Sequence, residues 1–146
     1  MNDLLVMARI ADRRCVFRAG HVQSVIELGN VTPIPCAPDF VAGITALRSQ
    51  ALTVIDCRRA IGIDPRNLSS DDRAVVVSVA GYSYALVVDE IEDVTTAIEE
   101  VDEVAGGYGE RWSRIASTMV ETSAGPALLI DLGALIAGPT DFEAAA

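Results

Sequence analysis

FVAGITALRSQALTVIDCRRAIG, the stretch from Phe40 to Gly62, decides how this chain of 146 residues is interpreted. Two apolar and β-branched runs, Val41–Leu47 and Ala51–Ile55, flank the polar triplet Arg48-Ser49-Gln50, and this pattern predicts a β-hairpin. An arginine at the turn of an apolar hairpin is either a solvated side chain or a contact for a partner protein. The sequence leaves both interpretations of this arginine open.

Each half of the chain contains an apolar strand that ends in an aspartate and is followed by a short helix. Asp56 predicts the N-cap of a helix over Cys57–Ile61, and Gly62 would end that helix in the left-handed conformation. The same arrangement recurs where Asp131 precedes Leu132–Ala137. Two matching strand-to-helix corners indicate two similar units rather than one sandwich.

Short strands joined by hairpin turns are predicted along the rest of the chain. Residues 22–28 fit either a strand or one helical turn, because β-branched residues occur there with helical spacing. Three prolines predict an extended connector over residues 32–39. The other predicted strands are Leu4–Ile10, Cys15–Phe17 after a turn at Asp12-Arg13-Arg14, Ala74–Val79, Tyr84–Val88, a half-buried strand after Asp89-Glu90, Ile115–Glu121 and Ala127–Ile130. We therefore expect an all-β fold of two small barrels packed together, with one or two short helices.

Charge is distributed unevenly along the chain. Net charge is −10 and every basic residue other than the one histidine is arginine. Residues 1–73 carry a net charge of +1 and residues 74–146 carry −11, with eight carboxylates between Asp89 and Glu103. That acidic run lacks the spacing of a calcium loop and predicts a solvated face. Such an acidic half argues against nucleic acid as the partner and favours a basic protein surface.

Composition also limits where the protein can work. The chain is long enough for one sizeable core or two small packed barrels. No apolar run reaches the length of a membrane span, and Met1-Asn2-Asp3 lacks the basic start of a signal peptide. We therefore expect a cytoplasmic protein with no direct membrane insertion.

The sequence contains few side chains in arrangements typical of catalytic or metal sites. His21 is the only histidine and is expected in a turn or on the surface. The cysteines at 15, 36 and 57 form no C-x-x-C pair, which indicates buried or semi-buried free thiols and neither a disulfide nor a metal site. Paired carboxylates, Asp89 with Glu90 or Asp56 with Asp131, leave a small carboxylate-dependent hydrolase as a remote alternative. We expect no catalytic residue, no metal and no cofactor, and an interaction module instead of an enzyme.

The stretch around Arg48 resembles the CheW adaptor domain of bacterial chemotaxis. FVAGITALR, residues 40–48, is similar to the signature F-hydrophobic-x-G-hydrophobic-x-N-L-R-G, and LTVIDCR, residues 52–58, is similar to its continuation, hydrophobic-x-P-hydrophobic-hydrophobic-D-L-R. Further similar segments are Val22–Val25, Leu86–Ile91 and Leu128–Asp131. The resemblance indicates one CheW-like domain over residues 1–139, with a frayed tail over residues 140–146.

The resemblance implies two five-stranded Src-homology-3-like barrels and a non-catalytic scaffold. Such a scaffold joins the cytoplasmic tip of a chemoreceptor to the regulatory domain of the histidine kinase CheA, at receptor arrays on the inner face of the membrane. A helical hairpin of the receptor would lie in an apolar groove between the barrels, with Arg48 as its polar anchor. The implied partner-binding residues are Val22, Ser24, Arg48, Ile91 and Val94.

The sequence departs from the family pattern at four positions. Ala46 replaces an asparagine, Ser49 a glycine, Thr53 a proline, and Ser24 a glutamate. If that glycine supplies a positive φ, Ser49 requires either a strained backbone or a different turn. The alternative function is therefore a divergent paralogue that binds a kinase of another motility or signalling pathway without binding a receptor.

Overall fold

The computed structural model describes residues 4–63, 68–69, 71–101, 110–123 and 125–138. The described chain forms ten strands, β1 Leu4–Ile10, β2 Arg13–Arg18, β3 Val22–Glu27, β4 Val41–Leu47, β5 Gln50–Asp56, β6 Arg73–Val79, β7 Tyr82–Val87, β8 Glu90–Val101, β9 Ala116–Thr122 and β10 Gly125–Ile130. Its helices are α1 Cys57–Ile61, α2 Glu110–Ile115 and α3 Leu132–Ala137, with a 3-10 turn at Ala19–His21. None of these helices is both long and apolar enough to cross a bilayer. The predicted tail, residues 140–146, lies outside the described residues.

The strands form two five-stranded sheets, which confirms the predicted all-β fold. The first sheet is a closed barrel in the order β1-β2-β10-β9-β8, and the second has the order β3-β6-β7-β5-β4. The first barrel is therefore built from both ends of the described chain and the second sheet from its middle. Within the second sheet the edge strands β3 and β4 are linked through the segment after β3, where Thr32 and Ile44 exchange backbone hydrogen bonds of 2.8 Å.

Both sheets use the same strand-to-helix corner, as the repeated sequence predicts. Asp56 caps α1 by accepting hydrogen bonds from the N–H groups of Arg58 and Arg59, and Asp131 caps α3 by accepting one from Ala134. The two aspartates share φ near −84° and ψ of 105°. Gly62 ends α1 with φ of 92°, as predicted. Each corner follows a strand that pairs in parallel, β5 with β7 and β10 with β2.

Several local features differ from the sequence predictions. The first hairpin turns over Ala11-Asp12, and Arg13 already belongs to β2, because two residues with positive φ make the tight turn that matches the twist of the strands. Residues 22–27 form a strand, which settles the ambiguity there. Helix α2 was not predicted, because its six residues are too few to show a helical period and its last residue, Ile115, was assigned to the strand that follows.

The apolar residues form three layers. Alternate residues of a strand point to opposite faces of the sheet. The side chains of one face therefore pack inside their own sheet, and those of the other face pack between the two sheets. Leu5, Met7, Val16, Val120, Ala127 and Leu129 pack inside the first barrel, and Leu28, Leu52, Val54, Ala74, Val76, Ala85 and Val87 pack inside the second sheet. Between them lies the shared apolar layer, which includes Ile10, Phe17 and Leu128 from the first barrel and Ile55, Val75 and Leu86 from the second sheet. Strands such as β6 are apolar on both faces because both faces are covered.

An ion pair fastens the two sheets together beside the shared apolar layer. Arg58 Nε lies 3.0 and 3.1 Å from the two carboxylate oxygens of Asp89, and Arg58 Nη2 lies 2.8 Å from Oδ2. The same Oδ2 accepts a 2.8 Å hydrogen bond from the N–H of Ala11 in the first hairpin. Asp89 thus connects α1, the β1–β2 turn and the passage from β7 to β8, and its hydrogen bonds with Arg58 raise the pKa of that guanidinium. We call this arrangement the Arg58–Asp89 clasp.

A second arginine joins the helices. Arg114 of α2 donates hydrogen bonds to the carbonyl oxygens of Ala134 and Gly138 at 3.2 and 2.8 Å, and to that of Ala60. These carbonyls belong to the last turns of α1 and α3, where helices leave acceptors unpaired. The three helices are thereby held over the shared apolar layer.

The three cysteines are free thiols. Cys15 and Cys57 are fully buried, as predicted, but Cys36 is exposed, so the prediction of burial was wrong for that residue. Its turn follows Pro35, and the proline-rich connector has too few apolar neighbours to cover it. Burial raises the pKa of Cys15 to about 12 and, with the carboxylate of Asp56, raises that of Cys57 well above its usual range.

We expect Asp89→Ala to lower the free energy of unfolding by about 2 kcal/mol, because it removes several charge-assisted hydrogen bonds at a partly buried pair. Asp39→Ala is the matched control, since Asp39 pairs with the neighbouring Arg59 but is 78% exposed. That variant should lose less than about 0.5 kcal/mol. Equal losses in urea denaturation would show that the clasp contributes no more than a surface ion pair.

Thiol titration with a disulfide reagent at pH 8 should modify one cysteine per native chain and all three in denaturant. Reaction requires the thiolate and access to it, and both are suppressed at Cys15 and Cys57. Cys36→Ser should abolish the native reaction. More than one reactive thiol in the folded protein would contradict the burial described above.

Candidate functional site

Arg48 occupies the first position of a two-residue turn. Leu47 pairs with Gln50, so Arg48 and Ser49 alone connect β4 to β5. The φ angle of Arg48 is 60°, while that of Ser49 is not positive, which is the pattern of a type II′ turn. The positive φ that the sequence suggested for Ser49 is therefore found at Arg48 instead. Its side chain is exposed, and no described residue pairs with its guanidinium.

Ser24 and Arg48 line one cleft. The cleft has a volume of about 510 Å³ and lies between β3 and the β4–β5 turn, at the edge where the second sheet is not closed by strand pairing. Its lining is Gln23, Ser24, Val25, Ile26, Leu47, Arg48, Ser49 and Gln50. We call it the Arg48 cleft. Two of the five predicted partner-binding residues are therefore brought together here.

The other three predicted residues lie along the shared apolar layer. Val22 and Ile91 are partly buried and pack against it. Val94 pairs with Val6 on β1 and is 54% exposed. Ile91 pairs with Ala8, which belongs to the shared layer, and Val94 lies further along the same strand pair. The paired strands β1 and β8 therefore form a continuous apolar strip from the shared layer to the solvent-exposed surface. Leu4, 57% exposed at the end of β1, extends this apolar strip.

Strand β3 connects the two groups. Val22 faces the shared apolar layer and Ser24 faces the Arg48 cleft, and two residues of extended strand span about 7 Å. The five residues therefore form a polar pair and an apolar trio rather than one continuous lining. Whether they bind a partner stays a prediction. Leu4 was missed by sequence reasoning, because only the pairing of β1 with β8 places it beside Val94.

The acidic stretch is partly neutralised inside the protein. The carboxylate of Glu92 lies 3.1 Å from Arg14 Nε and 3.5 Å from Arg9 Nε. The hydrogen bond from Arg14 lowers the pKa of this carboxyl below its usual value. Glu92 also separates two arginines that stand directly opposite each other on β1 and β2. Asp89 belongs to the partly buried clasp, so the predicted solvated face was wrong for that residue, whereas Glu92 is exposed as predicted.

Three of the four carboxylates weighed for catalysis have structural roles. Asp56 and Asp131 are helix caps and Asp89 forms the clasp. His21 is exposed on the 3-10 turn, as predicted, at the rim of another cleft of about 430 Å³ that contains none of the five predicted residues. In the part of the chain that the structure describes, no group of three or more His, Cys, Asp or Glu residues could hold a metal ion.

Comparison with known proteins agrees with this architecture. The model of the CheW-like domain family matches residues 4–139. The crystal structure of the scaffolding protein TtCheW from Thermoanaerobacter tengcongensis superposes with a TM-score of 0.74 at 25% identity, covering 89% of each chain. This chain therefore shares the fold of that protein.

Curated relatives are similar over part of their length. The chemotaxis protein CheW of Treponema pallidum is 29% identical over 54% of this chain and 49% of its own length. The probable chemotaxis protein CheW of Rhizobium etli is 29% identical over 66% and 63%, and FrzA of Myxococcus xanthus is 28% identical over 57% and 52%. The chain thus spans about half to two thirds of the length of these relatives. With a family match that includes every described residue, the chain belongs to the CheW-like domain family.

Proposed function

We propose that this protein is a non-catalytic cytoplasmic adaptor that couples chemoreceptors to the regulatory domain of the histidine kinase CheA. The observation that carries the proposal is Arg48, an exposed guanidinium held at a strained turn with no partner among the described residues. Strained backbone at an exposed polar residue is typical of binding sites, because stability alone would favour a residue without strain.

The apolar strip supplies the second part of a receptor site. Val94 and Leu4 are more than half exposed, and Val22 and Ile91 continue the strip into the shared apolar layer. A helical hairpin of a receptor can bury its apolar face on such a strip. Apolar contact provides affinity, and a charge nearby fixes the register of the helix. The receptor tip would therefore lie along β8 and β3, with Arg48 near one end.

Coupling also requires a second surface for the kinase. The outer face of β4, β5 and β7 carries Ile44 and Tyr82, which are 40% and 69% exposed, together with Ala46 and Ala51. Cross-strand pairing of Ile44 with Thr53 and of Ala46 with Ala51 makes this face continuous and uncharged. An uncharged sheet face suits another β domain, and the regulatory domain of CheA is the proposed occupant. Both partners would then be held by one rigid body at receptor arrays.

A divergent paralogue remains a second candidate. Ser24 and Ser49 depart from the family pattern, and one relative, FrzA, bears a name other than CheW. Such a paralogue would bind a kinase of another pathway and no receptor. Isothermal titration against a receptor hairpin separates the two candidates, because the adaptor should bind the hairpin and the paralogue should not.

We expect Arg48→Glu to weaken binding of a receptor hairpin at least tenfold, about 1.4 kcal/mol, because it reverses the charge at the polar anchor. Thermal stability should not fall, since no described contact of Arg48 is lost. Arg73→Glu is the control, because it makes the same change of net charge at an exposed site on β6. Equal affinity of wild type and Arg48→Glu in a pull-down would remove Arg48 from the site.

Arg48→Gly should separate stability from function. Glycine adopts a positive φ without strain, which should stabilise the folded turn by about 1–2 kcal/mol. Part of this stabilisation is offset because glycine also makes the unfolded chain more flexible. We therefore expect the free energy of unfolding to rise by about 0.5–1 kcal/mol while receptor binding falls. Arg48→Ala keeps the strained φ and should lose binding without this gain in urea denaturation. A less stable glycine variant would contradict the strained turn.

A further inference from the structure

We propose that the cleft beside His21 binds a small aliphatic carboxylate. This cleft, which we call the crossing cleft, has a volume of about 430 Å³ and lies where the chain first passes from one sheet to the other, between β2 and β3. It shares no lining residue with the Arg48 cleft. The proposal therefore goes beyond the proposed function and does not depend on it.

The fold repeats the same arrangement at its two crossings. The two sheets have the same strand order, in which the corner at Asp131 corresponds to the corner at Asp56. Two residues after each aspartate, α1 carries the arginine of the clasp and α3 carries Gly133. By the parallel pairing of β10 with β2 and of β5 with β7, Gly20 corresponds to the aspartate of the clasp. At the first crossing, glycine therefore stands in place of both side chains that form the clasp at the second.

The crossing cleft lies at this corresponding place. Gly133 lines it, and a Cβ atom at Gly20 would meet no atom within 4 Å beyond its chain neighbours. The lining comes from the β6–β7 turn of the second sheet and from the β10–α3 corner of the first barrel. A ligand in this cleft would therefore contact both sheets, as the clasp does at the other crossing.

The turn at the crossing cleft presents a backbone donor. Ala80 begins the β6–β7 turn with φ of 52°, and Ala11 begins the β1–β2 turn with φ of 50°. The N–H of Ala11 donates to Asp89 at 2.8 Å. The N–H of Ala80 has no acceptor among the described residues. A carboxylate bound in the cleft would accept from Ala80 as Asp89 accepts from Ala11.

Two side chains at the cleft can bind the same carboxylate. Arg18, at the end of β2, is half-buried, and His21 is exposed. A guanidinium has five N–H donors, so Arg18 can bind a carboxylate while it keeps the interaction that it makes within the chain. The imidazole of His21 can donate a hydrogen bond in either charge state. The cleft thus offers both backbone and side-chain donors to one anionic group.

Asp131 does not exclude a second carboxylate from the cleft. It is the one carboxylate among the described lining residues, and its Oδ1 accepts a hydrogen bond of 3.2 Å from an N–H of α3. At the other crossing Asp56 caps α1 in the same way, and a second carboxylate lies nearby, since Asp89 and Asp56 both raise the pKa of Arg58. A guanidinium compensates the second carboxylate there. Arg18 supplies the guanidinium in the crossing cleft.

The rest of the lining favours an aliphatic ligand. Val79, Ile130 and Leu132 line the cleft and belong to the shared apolar layer or pack against it. The volume of the cleft lies within the range of small-molecule sites, about 300–1,000 Å³. A phosphate would bring up to two negative charges beside Asp131, for which one guanidinium among the described lining residues gives poor compensation. A carboxylate with a short apolar chain is therefore the ligand whose chemistry matches the lining.

The first test follows the two equivalent amides. Butyrate is titrated into the labelled protein while the backbone N–H signals of Ala80 and Ala11 are recorded by NMR, with butyramide as the neutral control probe. We expect the Ala80 signal to shift and to saturate, while that of Ala11, whose acceptor is Asp89, stays unchanged. Butyramide should shift neither signal. A response of Ala80 that does not saturate, or that butyramide reproduces, would overturn the proposal.

Acetate tests the apolar part of the site in the same titration. It should bind at least about threefold more weakly than butyrate, because it lacks the chain that contacts the apolar lining. Equal affinity for the two acids would contradict an aliphatic ligand.

The second test supplies the carboxylate from within the chain. Gly20→Asp should weaken butyrate binding at least about tenfold, because the new carboxylate can accept from Ala80 as Asp89 accepts from Ala11. Gly20→Ala is the matched control and should stay within about twofold of wild type, since its Cβ has open space. Undiminished binding to Gly20→Asp would show that the acid binds elsewhere.

A further variant tests the cation. Arg18→Gln should weaken butyrate binding at least about tenfold, whereas Arg73→Gln, which removes the same charge from an exposed site on β6, should change it by no more than about twofold. Equal affinities of these two variants would contradict the role of Arg18. Gly20→Asp decides the proposal if Arg18→Gln does not fold, because residue 20 is exposed and its φ is not positive.

A peptide distinguishes a free acid from the end of a protein chain. A tripeptide that ends in valine with a free carboxyl group carries the same chemistry and is compared with butyrate at the Ala80 signal. We expect butyrate to bind at least as tightly as the peptide. Peptide binding about tenfold tighter than that of butyrate would overturn the small acid as the ligand and assign the cleft to the C-terminus of a protein.

Discussion

The Arg58–Asp89 clasp is the interaction on which the arrangement of the two sheets depends. The chain leaves the first barrel after β2 and returns to it at β8, so the two sheets are covalently joined at two crossings. Asp89 stands at the second crossing and binds the first hairpin through the N–H of Ala11 and α1 through Arg58. One carboxylate thereby fixes elements from both sheets. Removal of its charge would cost the partly buried guanidinium its hydrogen-bonded carboxylate, and breaking such a pair is destabilising.

The shared apolar layer explains the unusual composition of the strands. In a solitary barrel each strand would alternate between apolar and polar residues. Here Val75 and Val77 pack between the sheets while Ala74 and Val76 pack inside one of them. Apolar burial on both faces gives the shared layer most of its stability, and the clasp gives it a defined geometry. The two sheets have the same strand order. Strands β8, β9, β10, β1 and β2 of the closed barrel take the places that β3, β4, β5, β6 and β7 take in the open sheet, and α3 takes the place of α1.

The helix caps could be predicted from the sequence, whereas the pairing of strands distant in the chain could not. Asp56, Asp131 and Gly62 act within a few residues of themselves, so their caps were predicted correctly. The membership of β1 and β2 in one barrel with β8, β9 and β10 depends on contacts between opposite ends of the chain, for which periodicity carries no signal. The Arg48 cleft belongs to the same class. Ser24 and Arg48 are twenty-four positions apart and meet through the edges of a sheet whose order the sequence did not reveal.

The contrast between the clasp and the Arg48 cleft indicates how such a molecule can bind reversibly. Arg58 is fully engaged by a carboxylate of its own chain, whereas Arg48 has no such partner among the described residues. A site whose charge is satisfied internally has to break that ion pair before it binds, and the cost reduces affinity. Arg48 avoids that cost, but its turn retains backbone strain in the free protein. Rigidity therefore comes from satisfied charges at the crossing between the sheets, and in the proposed function readiness to bind would come from the charge of Arg48 at an open sheet edge.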